Sequence, residues 1–106
     1  MSLERTARLT WLRQSEGGRP VPPPGPSYST VAKFSAQKTD WRDEAWSLVI
    51  RFLEPPDRHG SHRVAVRFLA DEAPSDFLAE GCRFQLMEGE RVVARGVVLA
   101  PEAGPQ

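Results

Sequence analysis

The stretch GCRFQLMEGERVVARGVV, residues 81–98, decides the fold. Two alternating apolar runs meet at Glu88-Gly89-Glu90, and period-two alternation on either side of a glycine turn reads as a β-hairpin. In the first run Cys82, Phe84 and Leu86 alternate with Arg83, Gln85 and Met87. In the second, Val92, Ala94, Gly96 and Val98 alternate with Arg91, Val93, Arg95 and Val97. This parity places Arg91 and Arg95 on one strand face with Val93 and Val97, as a binding stripe or an ordinary solvated face. A glycine inside a strand costs stability unless the sheet bends there or something approaches closely. Small Ala94 and Gly96 therefore point to a barrel interior or a sharply coiled corner.

Outward from the hairpin, the same alternation recurs. Residues 6–13 set Ala7, Leu9 and Trp11 against Arg8 and Thr10, and the glycine- and proline-rich SEGGRPVPPPGPS, residues 15–27, follows as a long loop. A short strand is expected over 29–34, then a polar connection over 37–43 that carries Trp41. Residues 44–54 put Trp46, Leu48, Ile50 and Phe52 on one face, with Trp46 expected to be buried, and Pro55-Pro56 ends the run because proline has no ladder donor. Residues 62–70 face Val64, Val66 and Phe68 one way and Arg63, Ala65 and Arg67 the other. The acidic segment 71–81 contains Pro74 and reads as a loop, with room for a short helix at 75–80. Six strands with no long helix predict an all-β barrel or sandwich. A domain over 1–100 and a loosely held tail over 101–106 complete the expected organisation.

Composition narrows the function classes. A chain of 106 residues makes one modest core and leaves no room for a two-domain cleft. Fourteen basic and fourteen acidic side chains cancel, so any binding of nucleic acid must be local. The basic residues are unevenly placed: Arg5, Arg8, Arg13, Arg19, Lys33 and Lys38 precede position 40, against Glu4, Glu16 and Asp40. MSLERTARLT carries charge where a signal peptide needs an apolar segment, and no run approaches the roughly 20 apolar residues of a membrane span. The expectation is a cytoplasmic protein without membrane contact. A lone Cys82 fits a reducing compartment and a packing role.

Chemistry-bearing patterns are sparse. His59-Gly60-Ser61-His62 lies in or next to a loop with Asp57 nearby, and a bare H-x-x-H lacks the further ligands of a metal site, so no metal is expected. No G-x-x-x-x-G-K-[ST] phosphate loop occurs, and no cofactor is expected. Asp71, Glu72, Asp76 and Glu80 read as a solvated loop, and no nucleophile triad is visible, so the chain is not expected to be an enzyme. PVPPPGP reads as a stiff spacer, since Gly25 breaks a docking motif. Glu16-Gly17-Gly18 reads first as a turn in which glycine supplies the positive φ.

The hairpin also resembles, without a gap, the closing hairpin of the C-terminal barrel domain (domain 3) of elongation factor Tu. Gly81, Arg83, Phe84, Glu88, Gly89, Arg91, Val93, Gly96, Val97 and Val98 match that pattern, and Glu16, Gly17, Gly18, Arg19 and Pro22 match the loop after that domain's first strand. The resemblance implies a six-stranded antiparallel barrel of the translation-factor type. It implies a non-catalytic module that touches the T stem of aminoacyl-tRNA, with Glu88 and Gly89 near the RNA backbone. Met87 stands where the pattern has arginine and Glu90 where it has a second glycine. Arg91, Arg95, Arg19 and Trp41 join Glu88 and Gly89 as candidate contacts with RNA or a translation-linked protein. Glu16, Gly17, Gly18, Arg83, Phe84 and Gly96 are expected to hold the fold. The competing expectation is a protein-interaction or structural module that kept the barrel and lost RNA binding.

Overall fold

The computed structural model describes residues 4–18 and 26–101. Arg19, Pro22, the proline run before Pro26 and the tail over 102–106 lie outside the described residues. Six strands form: β1 Arg5–Trp11, β2 Ser27–Phe34, β3 Trp46–Phe52, β4 Ser61–Phe68, β5 Arg83–Glu88 and β6 Arg91–Val98. Neighbours are antiparallel throughout, and the order β1-β4-β3-β2-β5-β6 closes on itself as a barrel. Closure pairs every strand on both sides, which removes the exposed ladder an open sheet would present. Where a short helix had room to form, a single 3₁₀ turn spans Ser75–Leu78 and buries Leu78. Among the described residues no helix is long and apolar enough to cross a membrane.

The alternation read from the sequence sorts side chains as expected along most strands. Ala7, Leu9, Trp11, Leu48, Ile50, Val64, Val66, Phe68, Phe84, Leu86, Ala94 and Val98 are buried. Trp46 and Phe52 are half-buried and pack against this core. Phe34, Phe68, Phe77 and Phe84 gather toward one end, with Phe34 within 5.4 Å of the Phe68 ring and 5.3 Å of the Phe77 ring. At the other end Trp11 meets Tyr28 and Phe52 edge-on at 5.7 and 6.3 Å. These edge-to-face arrangements suit the aromatic quadrupole.

Several positions depart from the sequence reading: Trp46, expected to be buried, is half-buried, and Ala65, placed on the outer face of β4, is 4% exposed. In the closing hairpin Leu86 lies opposite Ala94 but Met87 opposite Val92, so Val93 is an extra residue on β6. This bulge reverses the parity: Val93 is fully buried, and Arg91 pairs with Glu88 while Arg95 pairs with Gln85. Paired residues share a face, and Glu88 and Gln85 are three apart on β5, so Arg91 and Arg95 form no common stripe. Met87, assigned to the outer set, is 5% exposed. His62, expected at the start of the 62–70 strand beside a loop, is the second residue of β4 and, although polar, has 0% exposure. Its Nε2 accepts the Trp11 Nε1–H at 3.0 Å, and its Nδ1 lies 2.7 Å from the Glu54 carbonyl. An indole only donates, so Nδ1 carries the proton and donates to Glu54. Both ring nitrogens are occupied within the fold, and His59 sits exposed outside it, so the H-x-x-H residues do not converge. Cys82 precedes β5, half-exposed, its Sγ 3.6 Å from the Asp76 carbonyl, rather than packing in the strand interior.

Candidate functional site

Outward positions on four strands build one surface. Paired residues follow one another across the wall: Lys33 on β2 lies opposite Gln85 on β5, Gln85 opposite Arg95 on β6, and Arg95 opposite Thr10 on β1. One step along the strands, Arg83 on β5 lies opposite Val97 and Val97 opposite Arg8 on β1. Strands about 4.8 Å apart put Lys33 and Arg95 about 10 Å from each other at the backbone, and Arg83 and Arg8 likewise. The two rows are about 7 Å apart along the strands.

These four cations line an open groove of about 690 Å³, together with Thr10, Ser35, Gln85 and Val97, and no lining residue is acidic. All four are exposed, and none makes an ion pair among the described residues. By contrast Arg42, Arg51, Arg63 and Arg91 each hold a carboxylate. The groove can thus accept an anion without first breaking an internal pair. Three guanidinium groups and one ammonium at this spacing offer donors to phosphate or carboxylate oxygens, those of the arginines forked.

The hairpin turn is occupied differently. Gly89 has φ +64 and Glu90 an ordinary φ, the pattern of a type II′ turn, which needs glycine first. Glu88 accepts hydrogen bonds from the Tyr28 hydroxyl and from Arg91 Nη2, the latter at 3.2 Å. Glu90 receives Arg42 through two bonds, Nε at 3.0 Å and Nη2 at 2.6 Å. Arg42 belongs to the connection between β2 and β3, so that connection folds back along the outer wall to the hairpin. Those hydrogen bonds hold the Glu90 carboxyl below its ordinary range, and the Arg42 backbone N–H, aided by its guanidinium, does the same to Asp40. The same guanidinium lies 5.0 Å over the Trp41 ring.

Of the residues the sequence marked, Arg95 lies in the groove and Trp41 beside it, in a depression that shares Lys33 and Phe34 with the groove wall. Glu88, Gly89 and Arg91 lie at the turn, outside the groove's lining, and Arg19 is outside the described residues. Arg83, expected to serve the fold, contributes its backbone to the sheet and its side chain to the groove. Phe84 and Gly96 are core partners, and Glu16 closes its own turn by accepting the Arg13 N–H at 2.9 Å. Gly17 has φ +88, and a Cβ on Gly18 would stand 2.3 Å from the Leu12 carbonyl oxygen, so that loop needs its glycines for geometry. The sequence reading did not group Arg8, Lys33 and Arg83 with Arg95. Their outward parity was visible, but their adjacency depends on strand order. Among the described residues no three His, Cys, Asp or Glu side chains gather as a metal site. Comparison with known protein families and with curated proteins finds no match for this chain.

Proposed function

We propose that this chain is a non-catalytic RNA-binding module on a barrel of the translation-factor type, resembling the C-terminal barrel domain of elongation factor Tu. The observation that carries the reading is the acid-free groove in which Arg8, Lys33, Arg83 and Arg95 stand without ion pairs among the described residues. A chain with no net charge gains nothing from long-range steering, so a local cluster of this kind is where a phosphate backbone binds. Binding moves from the hairpin turn, whose carboxylates are held by Tyr28, Arg91 and Arg42, to the strand face beside it.

The test is RNA binding as a function of salt. Four phosphate contacts give a log–log slope of roughly −3 for single strands, about 0.7 per contact. Arg95→Glu and Arg8→Glu should each weaken binding at least ten-fold and flatten the slope, whereas Arg91→Glu, already paired with Glu88, should change little. Salt-independent binding, or reversal variants that bind like the parent, would refute the reading. A protein partner retained from lysate after ribonuclease, with no RNA affinity in the purified chain, would replace it with the protein-interaction alternative.

A further inference from the structure

The groove does not end at Lys33. Lys33 and Phe34 also line a second depression of about 170 Å³, whose other walls are Gln37, Thr39, Asp40, Trp41 and Arg42. Trp41 is half-exposed there, and its ring is steadied by the Arg42 guanidinium, itself clamped by Glu90 and Asp40. Gln37 donates its side-chain N–H to the Glu44 carbonyl at 2.7 Å. Its Oε1 is buried and, among the described residues, is the one buried side-chain polar atom without a hydrogen-bond partner. A buried acceptor left unpaired is costly, and here the residue that carries it lines the same small depression as an aromatic ring.

We infer that this depression is a base-binding pocket at the end of the phosphate groove, so that the ligand is single-stranded RNA. The inference rests on the RNA-binding reading and adds the strandedness of the ligand. A nucleobase stacked on Trp41 presents ring-edge N–H groups, and a turn of the Gln37 amide that brings its buried Oε1 to the pocket wall lets one of them donate to it. Phosphates leading to that base lie along Lys33, Gln85 and Arg95. A base inside a duplex is stacked on its neighbours and cannot enter such a pocket, which is why aromatic platforms select unpaired strands. Glu90, repulsive to a phosphate at the turn itself, acts here as a positioning residue, fixing Trp41 through Arg42.

The test compares a labelled mixed-sequence RNA dodecamer, single-stranded and annealed to its complement, by fluorescence anisotropy on the full chain. The single strand should bind at least ten-fold tighter than the duplex. Trp41→Ala should weaken the single strand about ten-fold without changing the duplex or the salt slope, since no phosphate contact is lost. Trp41→Phe should keep most of the affinity, which separates lost stacking from misfolding, and Gln37→Met should lower it several-fold. Equal affinity for both forms, or a Trp41→Ala variant that binds like the parent, overturns the pocket while Arg95→Glu still reports the groove. Failure of the parent chain to bind either RNA overturns both.

Discussion

Replacing Gly96 by alanine puts the packing of the barrel interior to a test whose sign is informative. A Cβ at Gly96 would lie 2.2 Å from Phe84 Cζ and 2.5 and 2.7 Å from the two Cε atoms, where carbon atoms rest at about 3.5–4.0 Å. The Phe84 ring would have to move by more than about 1 Å. Phe84 is 2% exposed, with the Phe34 ring centred 6.5 Å away, so the displacement is passed to neighbours. Overpacking of this kind costs about 1–3 kcal/mol. Against it stands the gain of about 0.4–1 kcal/mol from removing glycine's freedom in the unfolded chain, which applies because Gly96 is not among the positive-φ glycines. The net expectation is a loss of between about 0 and about 2.6 kcal/mol. At about 4–8 °C per kcal/mol for a domain near this size, Tm falls by up to roughly 20 °C. Urea unfolding followed by tryptophan fluorescence measures it, with Trp11 reporting from the core. Phe84→Leu in the same chain should suppress the clash, so the double variant should be less destabilised than the sum of the singles by about 0.5–3 kcal/mol. A Gly96→Ala variant more stable than the parent, or strict additivity with Phe84→Leu, would show that the ring does not depend on the missing Cβ.

Besides the groove and pocket variants, two measurements address polar contacts. Trp11→Phe deletes the donor to the buried His62 Nε2 and should cost about 1–3 kcal/mol, the desolvation penalty of an unpaired buried acceptor. Nitrogen-15 spectra of the parent should give His62 as the Nδ1–H tautomer, and a proton found on Nε2 would contradict the hydrogen-bond assignment. Glu90 and Asp40 have folded-state pKa values lowered by Arg42. Their contribution to stability is therefore complete above the ordinary carboxylate range and is lost as pH falls through the lowered values. Carboxyl-carbon titrations in Arg42→Gln should move Glu90 upward and Asp40 by less, because the backbone N–H that chiefly lowers Asp40 is kept, and molar salt should shrink the difference because the pairs are exposed. Unchanged titrations would mean that Arg42 does not hold the turn.

What the sequence alone determined is what period two encodes locally. The faces of β1, β3 and β4, the turn at Gly89 and the glycine-dependent loop at Gly17 and Gly18 were all legible, because each depends on residues a few positions apart. Gly96 was legible as a place of close approach, although its partner Phe84 was not. The tertiary structure decided everything that depends on register and strand order. One extra residue at Val93 carries no mark in the sequence, yet it parts Arg91 from Arg95. His62 is buried because Trp11, 51 residues away, supplies the donor its ring needs. Arg42 meets Glu90 across 48 residues. Arg8, Lys33, Arg83 and Arg95 come from four strands that only the closed order β2-β5-β6-β1 makes neighbours. Alternation tells each side chain whether to face in or out; which outward charges share a surface is set by hydrogen-bonded pairing between distant segments, and that pairing is a property of the whole barrel.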